Sequence, residues 1–516
     1  MSLVKSTLTI GFYTLLSRIS GFVRDVMMAN LIGASWLSDA FFVAFKLPNF
    51  FRRLFAEGAF NAAFIPSFSS ILTERGREDA VRFAGEVMSV LLLVLLVLNA
   101  IFIVFMPWIT PLFAPGFADT PEKFDLTVTL SQITFPYILF ISLVSLLGGV
   151  LNSMGKFAAP AASPILLNLC MIGGMLWLNH LTPTPAHALS YAVFIAGLVQ
   201  LGWLVLACVR SDMMPPLVSP RMTKQVKTML LLMAPAALGS GVQQLNLLID
   251  VVIASHIPDA VSYLYYADRI TELPIGMIGV AVGTVLLPML SRQLRSGQTA
   301  EAHASMNRAL ELVLLFGLPA SAALLVIAEP VIRVLYQHGK FTPENMVYTT
   351  RVLYAFTLGL PAFLAVKVFA PGFYANHDTK TPFRIAMVCV GVNLFFNLTL
   401  VFVAHLEAMG MALATTLAGW LNLAQMAMIL KRRGIFAPDA LLRARLIKLT
   451  LASAIMAVSL LAVSPFAAPY YQEGAVAKVL ALTTTIGLGM LVFAASVLAL
   501  KAYDAREIRW LLRRRA

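Results

Sequence analysis

The chain has 516 residues, 59% hydrophobic and 12% charged, with a net charge of +13 and a mean hydropathy of +0.84. A soluble domain carries about 25% charged residues, so a fold bathed mainly in water is excluded. Continuous rather than alternating apolar runs also exclude a strand barrel.

Runs such as VMSVLLLVLLVLNAIFIVFMPWI are long enough to cross ~30 Å of hydrocarbon. In chain order the pattern predicts an all-α polytopic membrane protein with fourteen spanning helices, at 5–32, 36–68, 83–110, 126–152, 160–180, 187–209, 225–255, 262–289, 306–328, 347–374, 384–404, 408–430, 446–465 and 476–500. The first is interrupted by Arg18 and Arg24 and shows no small-residue cleavage site, so it reads as a retained helix and not a signal peptide. Cys170, Cys208 and Cys389 all fall in apolar spans, an odd number that argues against a disulfide framework.

With the N-terminus in the cytoplasm, 26 of the 38 Lys and Arg residues fall in cytoplasmic loops and tails. At most five (Lys123, Arg333, Lys340, Arg351 and Lys478) fall in loops on the other side. This asymmetry predicts that both termini are cytoplasmic. It also accounts for the net charge through topology and attraction to anionic membrane lipids, with no call for nucleic acid.

An internal repeat shows at an offset of 222 residues, relating Pro66 to Pro288, the triplet TPE at 120–122 to TPE at 342–344, and Pro160 to Pro382. Six helices per repeat is an even number, so the halves run in the same sense, as in parallel-repeat transporters. The expected organisation is a six-helix lobe over 1–220, a second over 221–440, and an added helix pair with a basic tail over 441–516.

Subtracting the loops leaves seven cations at membrane depth: Arg18, Arg24, Lys46, Arg52, Arg53, Arg269 and Lys367. Each would cost about 2.5–3.5 kcal/mol facing lipid, so they must face one another or water. Nearby acids are Asp25, Asp39, Glu57, Asp250, Asp268 and Glu272. The spacing of Asp39, Lys46, Arg53 and Glu57 predicts one helical stripe, with Pro48 breaking the helix near Arg52. In YYADRITELPIG, Arg269 can meet Glu272 one turn on, and Asp268 occupies the repeat position of Lys46. Internal salt bridges are one of two readings of the acid-matched Lys46 and Arg53, a functional cavity role being the other. The first half has five cations against three acids, and arginine dominates, which points to a wet central cationic cavity visited by a phosphate or carboxylate.

Catalytic alternatives lack residues. No HExxH, GxxxxGK[ST] or GxSxG motif and no cysteine pair at zinc spacing occurs, so neither nucleotide nor metal is expected. The turns APGFAD and APGFYA read as helix ends. A cation-coupled multidrug exporter would want acids, not arginines, in its first-half cavity. A membrane glycosyltransferase would need a larger loop than this chain provides.

The segments SRISGFVRD (17–25), DAFFVAFKLPNFFRRLFAEGAF (39–60), APGFAD (114–119), YYADRITELPIG (265–276) and APGFYANHDTKTP (370–382) resemble the MurJ/MviN family of lipid II flippases, in register from Met1 to about residue 430. The resemblance implies fourteen helices and alternating-access transport of lipid II, the undecaprenyl-diphosphate-linked peptidoglycan precursor, across the bacterial inner membrane. A flippase for another polyprenyl-diphosphate-linked saccharide is the neighbouring alternative. It further implies substrate-binding roles for Arg18, Arg24, Arg52 and Arg269, with Asp39, Lys46, Arg53, Glu57, Asp268 and Glu272 around them. Membrane potential or an ion would supply the energy, with Asp250, Asn393 and Asn397 as the candidate ion residues, beside the plainer reading of Asp250 as a hydrogen-bonded helix residue. One chain is the expected transport unit.

Overall fold

The computed structural model describes residues 3–53, 60–276 and 280–503, so Glu57 and the basic tail lie outside the described residues. Among the described residues seventeen α-helices follow one another: α1 (Leu3–Ile32), α2 (Trp36–Phe51), α3 (Phe60–Arg75), α4 (Arg77–Phe113), α5 (Pro121–Thr134), α6 (Tyr137–Ser153), α7 (Ala158–Trp177), α8 (Pro185–Val209), α9 (Lys224–Ala254), α10 (Ala260–Pro274), α11 (Val280–Arg295), α12 (Thr299–Tyr336), α13 (Pro343–Tyr374), α14 (Lys380–Leu398), α15 (Glu407–Arg432), α16 (Ala440–Ala467) and α17 (Ala475–Ala499).

They regroup into the fourteen expected spans because three spans are each built from two helices. The second span is α2 and α3, and the eighth is α10 and α11. The fourth is α5 and α6, which part at Pro136, where the ring removes the N–H that would continue the ladder. Ten spans among the described residues are long and apolar enough to cross a membrane. The rest (α1, α2 with α3, α9, and α10 with α11) carry most of the membrane-depth charges.

Contacts divide the chain into two compact units, residues 1–262 with 339–341, and residues 263–338 with 342–516. In the first unit α1 packs on α7, α7 on α8, α8 on α6 and α2 on α5, while α9 lies against α3 and α4. Its core gathers Phe64, Phe68, Phe83, Leu147, Val150 and Met229. A second cluster centres on Leu47, Met106 and Phe135, where Phe135 stacks on Phe102 at 4.4 Å. In the second unit α13 packs on α12 and α15, and α16 packs on α12 and α17, around Leu290, Met306, Leu364, Phe373 and Leu430.

Prolines inside spanning helices leave carbonyls four residues back without a donor, and lipid offers none. At three of them a neighbouring side chain supplies one. Thr134 Oγ1 donates to the Ala44 carbonyl freed by Pro48 (2.9 Å). Gln132 Nε2 donates to the Ile103 carbonyl freed by Pro107 (2.9 Å). Ser321 Oγ donates to the Thr357 carbonyl freed by Pro361 (2.8 Å). Each bond satisfies a freed carbonyl and ties two helices together.

Candidate functional site

The cations of the first unit differ in how they are held. Arg18 on α1 is half-buried and has no hydrogen-bonding or ion-pairing partner among the described residues. Arg24 is buried. Its Nε and Nη2 donate to Asp25 Oδ1 at 3.0 and 2.6 Å, and its Nη1 donates to Asn168 Oδ1 of α7 at 2.9 Å. Adjacent helical residues do not normally face each other, so the long Arg24 side chain folds back to reach its neighbour. Arg52 closes the end of α2 by donating from Nε to Asn49 Oδ1 at 3.0 Å, and Asn49 in turn donates to the Phe45 carbonyl at 2.8 Å. Lys46 and Arg53 are exposed.

Asp39 starts the expected α2 stripe but lives in different surroundings from Lys46. It is 0% exposed. Its Oδ2 accepts from Lys123 Nζ at 2.8 Å, and its Oδ1 accepts from Ser262 N at 2.9 Å and Ser262 Oγ at 2.6 Å. Lys123, expected in a loop, instead sits in the first turn of α5, buried, with its ammonium 4.0 Å from the centre of the Phe117 ring. The surrounding backbone is tightly fitted. Gly116 N donates to Ser255 Oγ at 3.0 Å, and a Cβ on Gly116 would stand 2.5 Å from the Ser255 carbonyl oxygen. APGFAD is therefore more than a helix end, because Gly116 is required for close approach. Lys340 N donates to the Asn30 carbonyl at 2.9 Å. There Gly33 takes φ +63, and a Cβ on it would meet the Lys340 oxygen at 2.4 Å. Residues 255–262 and 339–341 are thus sewn onto the ends of α1, α2, α4 and α5 within this unit.

In the second unit Arg269 Nη1 donates to Glu272 Oε2 at 2.8 Å, and its guanidinium stands 4.8 Å from the centre of the Tyr265 ring. Asp268 and Glu272 are exposed. Lys367 is exposed, with no partner among the described residues. Asn397 Nδ2 donates to Asn393 Oδ1 at 3.0 Å, and Asn393 Nδ2 to Thr415 Oγ1 at 3.4 Å. In the first unit Asn246 donates to Asp250 at 3.3 Å. Among the described residues no cluster of three His, Cys, Asp or Glu has metal-site geometry.

Four ion pairs help tie helices of the second unit together. Arg445 of α16 donates to buried Glu311 of α12 at 2.9 Å, and Arg308 pairs with both Glu311 and Asp439. Burial alone would raise the Asp439 carboxyl, but the Leu442 N–H and Arg308 bring it below the usual carboxylate range. Arg433 bonds Asp378 at 2.5 Å and Thr381 at 2.9 Å, and holds the Asp378 carboxyl far below that range.

Sequence reasoning missed Asn49, Lys123, Asn168 and Ser262. The only signal for the asparagines is an amide in an otherwise apolar helix, which must find a partner there.

Comparison with known proteins gives a consistent picture. Residues 28–482 match the family model described as "Lipid II flippase MurJ". The chain is 43% identical to a protein of Rhizobium tropici named "Probable lipid II flippase MurJ", over 96% of this chain and 92% of that one. A solved structure titled "Lipid II flippase MurJ, inward closed conformation" superposes with a TM-score of 0.79 at 27% identity, covering 95% of this chain and 98% of the other. An inward-facing multidrug-resistance MATE transporter shares the fold at 13% identity, with a TM-score of 0.67 over 83% and 98% of the two chains.

Proposed function

Because this chain belongs to the MurJ family of lipid II flippases, we propose that it carries lipid II from the inner to the outer leaflet of the bacterial inner membrane by alternating access. It is a multi-pass membrane transporter and not an enzyme. The family match over residues 28–482 carries the reading, and the chemistry of the membrane-depth cations supports it.

In this proposal Arg18, Arg24, Arg52 and Arg269 bind the anionic groups of the substrate. A guanidinium presents a planar fork to a diphosphate, and each such charge-assisted contact contributes about 1.5–3 kcal/mol. Arg18 has no competing partner among the described residues, which suits it to first contact. The Asp39–Lys123–Ser262 cluster serves as a latch near the periplasmic side, with its charges satisfied inside the unit while it is shut. Lys46, Arg53, Glu57, Asp268 and Glu272 tune the surrounding potential.

Moving an anion outward is favoured by an inside-negative potential, by about 2.3 kcal/mol per charge per 100 mV. The potential is therefore the proposed energy source, with Asp250, Asn393 and Asn397 as the residues to examine for an ion. Both termini lie in the cytoplasm, one chain is the transport unit, and basic residues such as Lys431, Arg432 and Arg443 meet anionic lipids.

The polyprenyl tail stays in apolar surroundings. Between α16 and α17 lies a cleft of about 490 Å³ lined by Val463, Phe466, Leu480, Ala481 and Leu488, and we assign it to guiding that tail. Depletion of the protein in its host tests the function. Lipid II should accumulate on the cytoplasmic face, protected from a probe added outside. Unchanged exposure of lipid II outside, with a different lipid-linked saccharide retained inside, would reassign the substrate.

A further inference from the structure

Asn168 lies within the apolar run SPILLNLCMIGG of α7 and is 5% exposed. Its amide has a fixed orientation. Nδ2 donates to the Ser17 carbonyl and to Ser20 Oγ, both at 3.0 Å, so Oδ1 is turned to Arg24 Nη1 at 2.9 Å. The Gly21 backbone leaves room for this, since a Cβ there would stand 3.3 Å from Asn168 Nδ2. The opposite edge of the same guanidinium rests on Asp25 Oδ1. Two elements, α1 and α7, thus hold the charge of Arg24 from two sides, one with a carboxylate and one with a neutral amide.

We propose that Asn168 is a positioning residue for Arg24, holding its guanidinium back against α7 until the diphosphate of a polyprenyl lipid competes for it. The inference rests on the reading that Arg24 binds that diphosphate. Asp25 already balances the charge, so Asn168 adds direction without adding a negative charge. Asn168 Oδ1 accepts one bond from Arg24, whereas a diphosphate offers a bidentate partner bearing full negative charge. The amide therefore holds the side chain when no substrate is present and yields when substrate arrives. A carboxylate at position 168 would compete with the substrate as an equal. An apolar side chain would remove the amide that draws Arg24 toward α7 and make the guanidinium easier to withdraw. Affinity for a diphosphate should then move in opposite directions in the two variants, which loss of packing at one site does not produce.

The test uses the full-length protein purified in detergent and the dissociation constant for farnesyl diphosphate, with thermal unfolding measured on every variant. Arg24→Ala should weaken binding about tenfold or more. Asn168→Asp should weaken it by a similar factor, and Asn168→Ala should tighten it about threefold to tenfold. If Asn168→Ala does not accumulate, Asn168→Ser, whose hydroxyl is too short to reach Arg24, is measured in its place. Loss of binding in Arg24→Ala together with wild-type affinity in both Asn168 variants overturns the positioning role and leaves the binding role of Arg24 standing. Weakening by both Asn168→Asp and Asn168→Ala also overturns it, because Asn168 would then be assisting binding. Wild-type affinity in Arg24→Ala removes the premise itself.

Discussion

Take the buried pair Asp39–Lys123 and delete one partner at a time. Asp39 is 0% exposed and Lys123 7%, so neither charge can be rehydrated without opening the end of the first unit. Lys123→Met leaves a carboxylate holding two bonds from Ser262 and no counter-charge. Breaking a buried pair in this way costs about 3–5 kcal/mol. Asp39→Asn leaves the ammonium against the Phe117 ring, whose attraction returns as much as about 2 kcal/mol when desolvated, so this variant falls toward the lower end. Combining the two substitutions removes both charges, and replacing a buried pair outright is often close to neutral. The expected cost of the double variant is therefore about 1 kcal/mol, far below the sum of the singles. Ser255→Cys, at a position that meets Gly116 in the same packed region, reports opening through its labelling rate. At about 1.4 kcal/mol per tenfold, Lys123→Met should speed labelling by roughly a hundredfold to a few thousandfold. The double variant should return to within about tenfold of the parent. If the double variant labels faster than either single, the charges do not compensate each other and the latch is wrongly assigned.

Three further outcomes follow from the same geometry. Gly116→Val should loosen the same end, because a Cβ placed 2.5 Å from the Ser255 oxygen forces a backbone shift that costs about 1–3 kcal/mol; Ser255→Cys labelling reads it, and unchanged labelling would show that the backbone gives freely. The Asp378 carboxyl is depressed by Arg433, so its stabilisation is present above the ordinary carboxylate pKa of about 4 and is lost as pH falls below it; the melting-temperature deficit of Asp378→Asn should be constant from pH 5 to 8 and shrink below about pH 4, and a deficit unchanged in acid would detach it from that charge. Truncation after residue 440 should slow flipping of a long-tailed substrate more than of a short-tailed analogue, and equal slowing would leave α16 and α17 as packing helices only.

The spans were legible from hydropathy because lipid demands apolar length, but the fourth reads as one helix over 126–152, and its break at Pro136 was not legible. Lys123 was misplaced for a definable reason. Directly after TPE it looks like loop, yet α5 starts at Pro121, and its burial depends on Asp39, 84 residues away in sequence. Asp39 and Lys46 both lie on α2, but periodicity cannot tell which part of a helix a neighbour covers. Here Ser262 and Lys123 cover the first turn and leave Lys46 exposed. The Arg269–Glu272 pair needed only local spacing and was readable. The Arg24–Asn168 bond joins residues 144 apart and has no local signature.

Transfer of lipid II across vesicles containing only the purified protein tests the central claim most directly, with an impermeant probe reporting arrival at the outer face. The account predicts protein-dependent transfer that accelerates with a potential favouring outward movement of anions. It also predicts loss of transfer in a folded Arg18→Ala, Arg52→Ala, Arg269→Ala variant. Transfer by that triple variant at the parent's rate would contradict it.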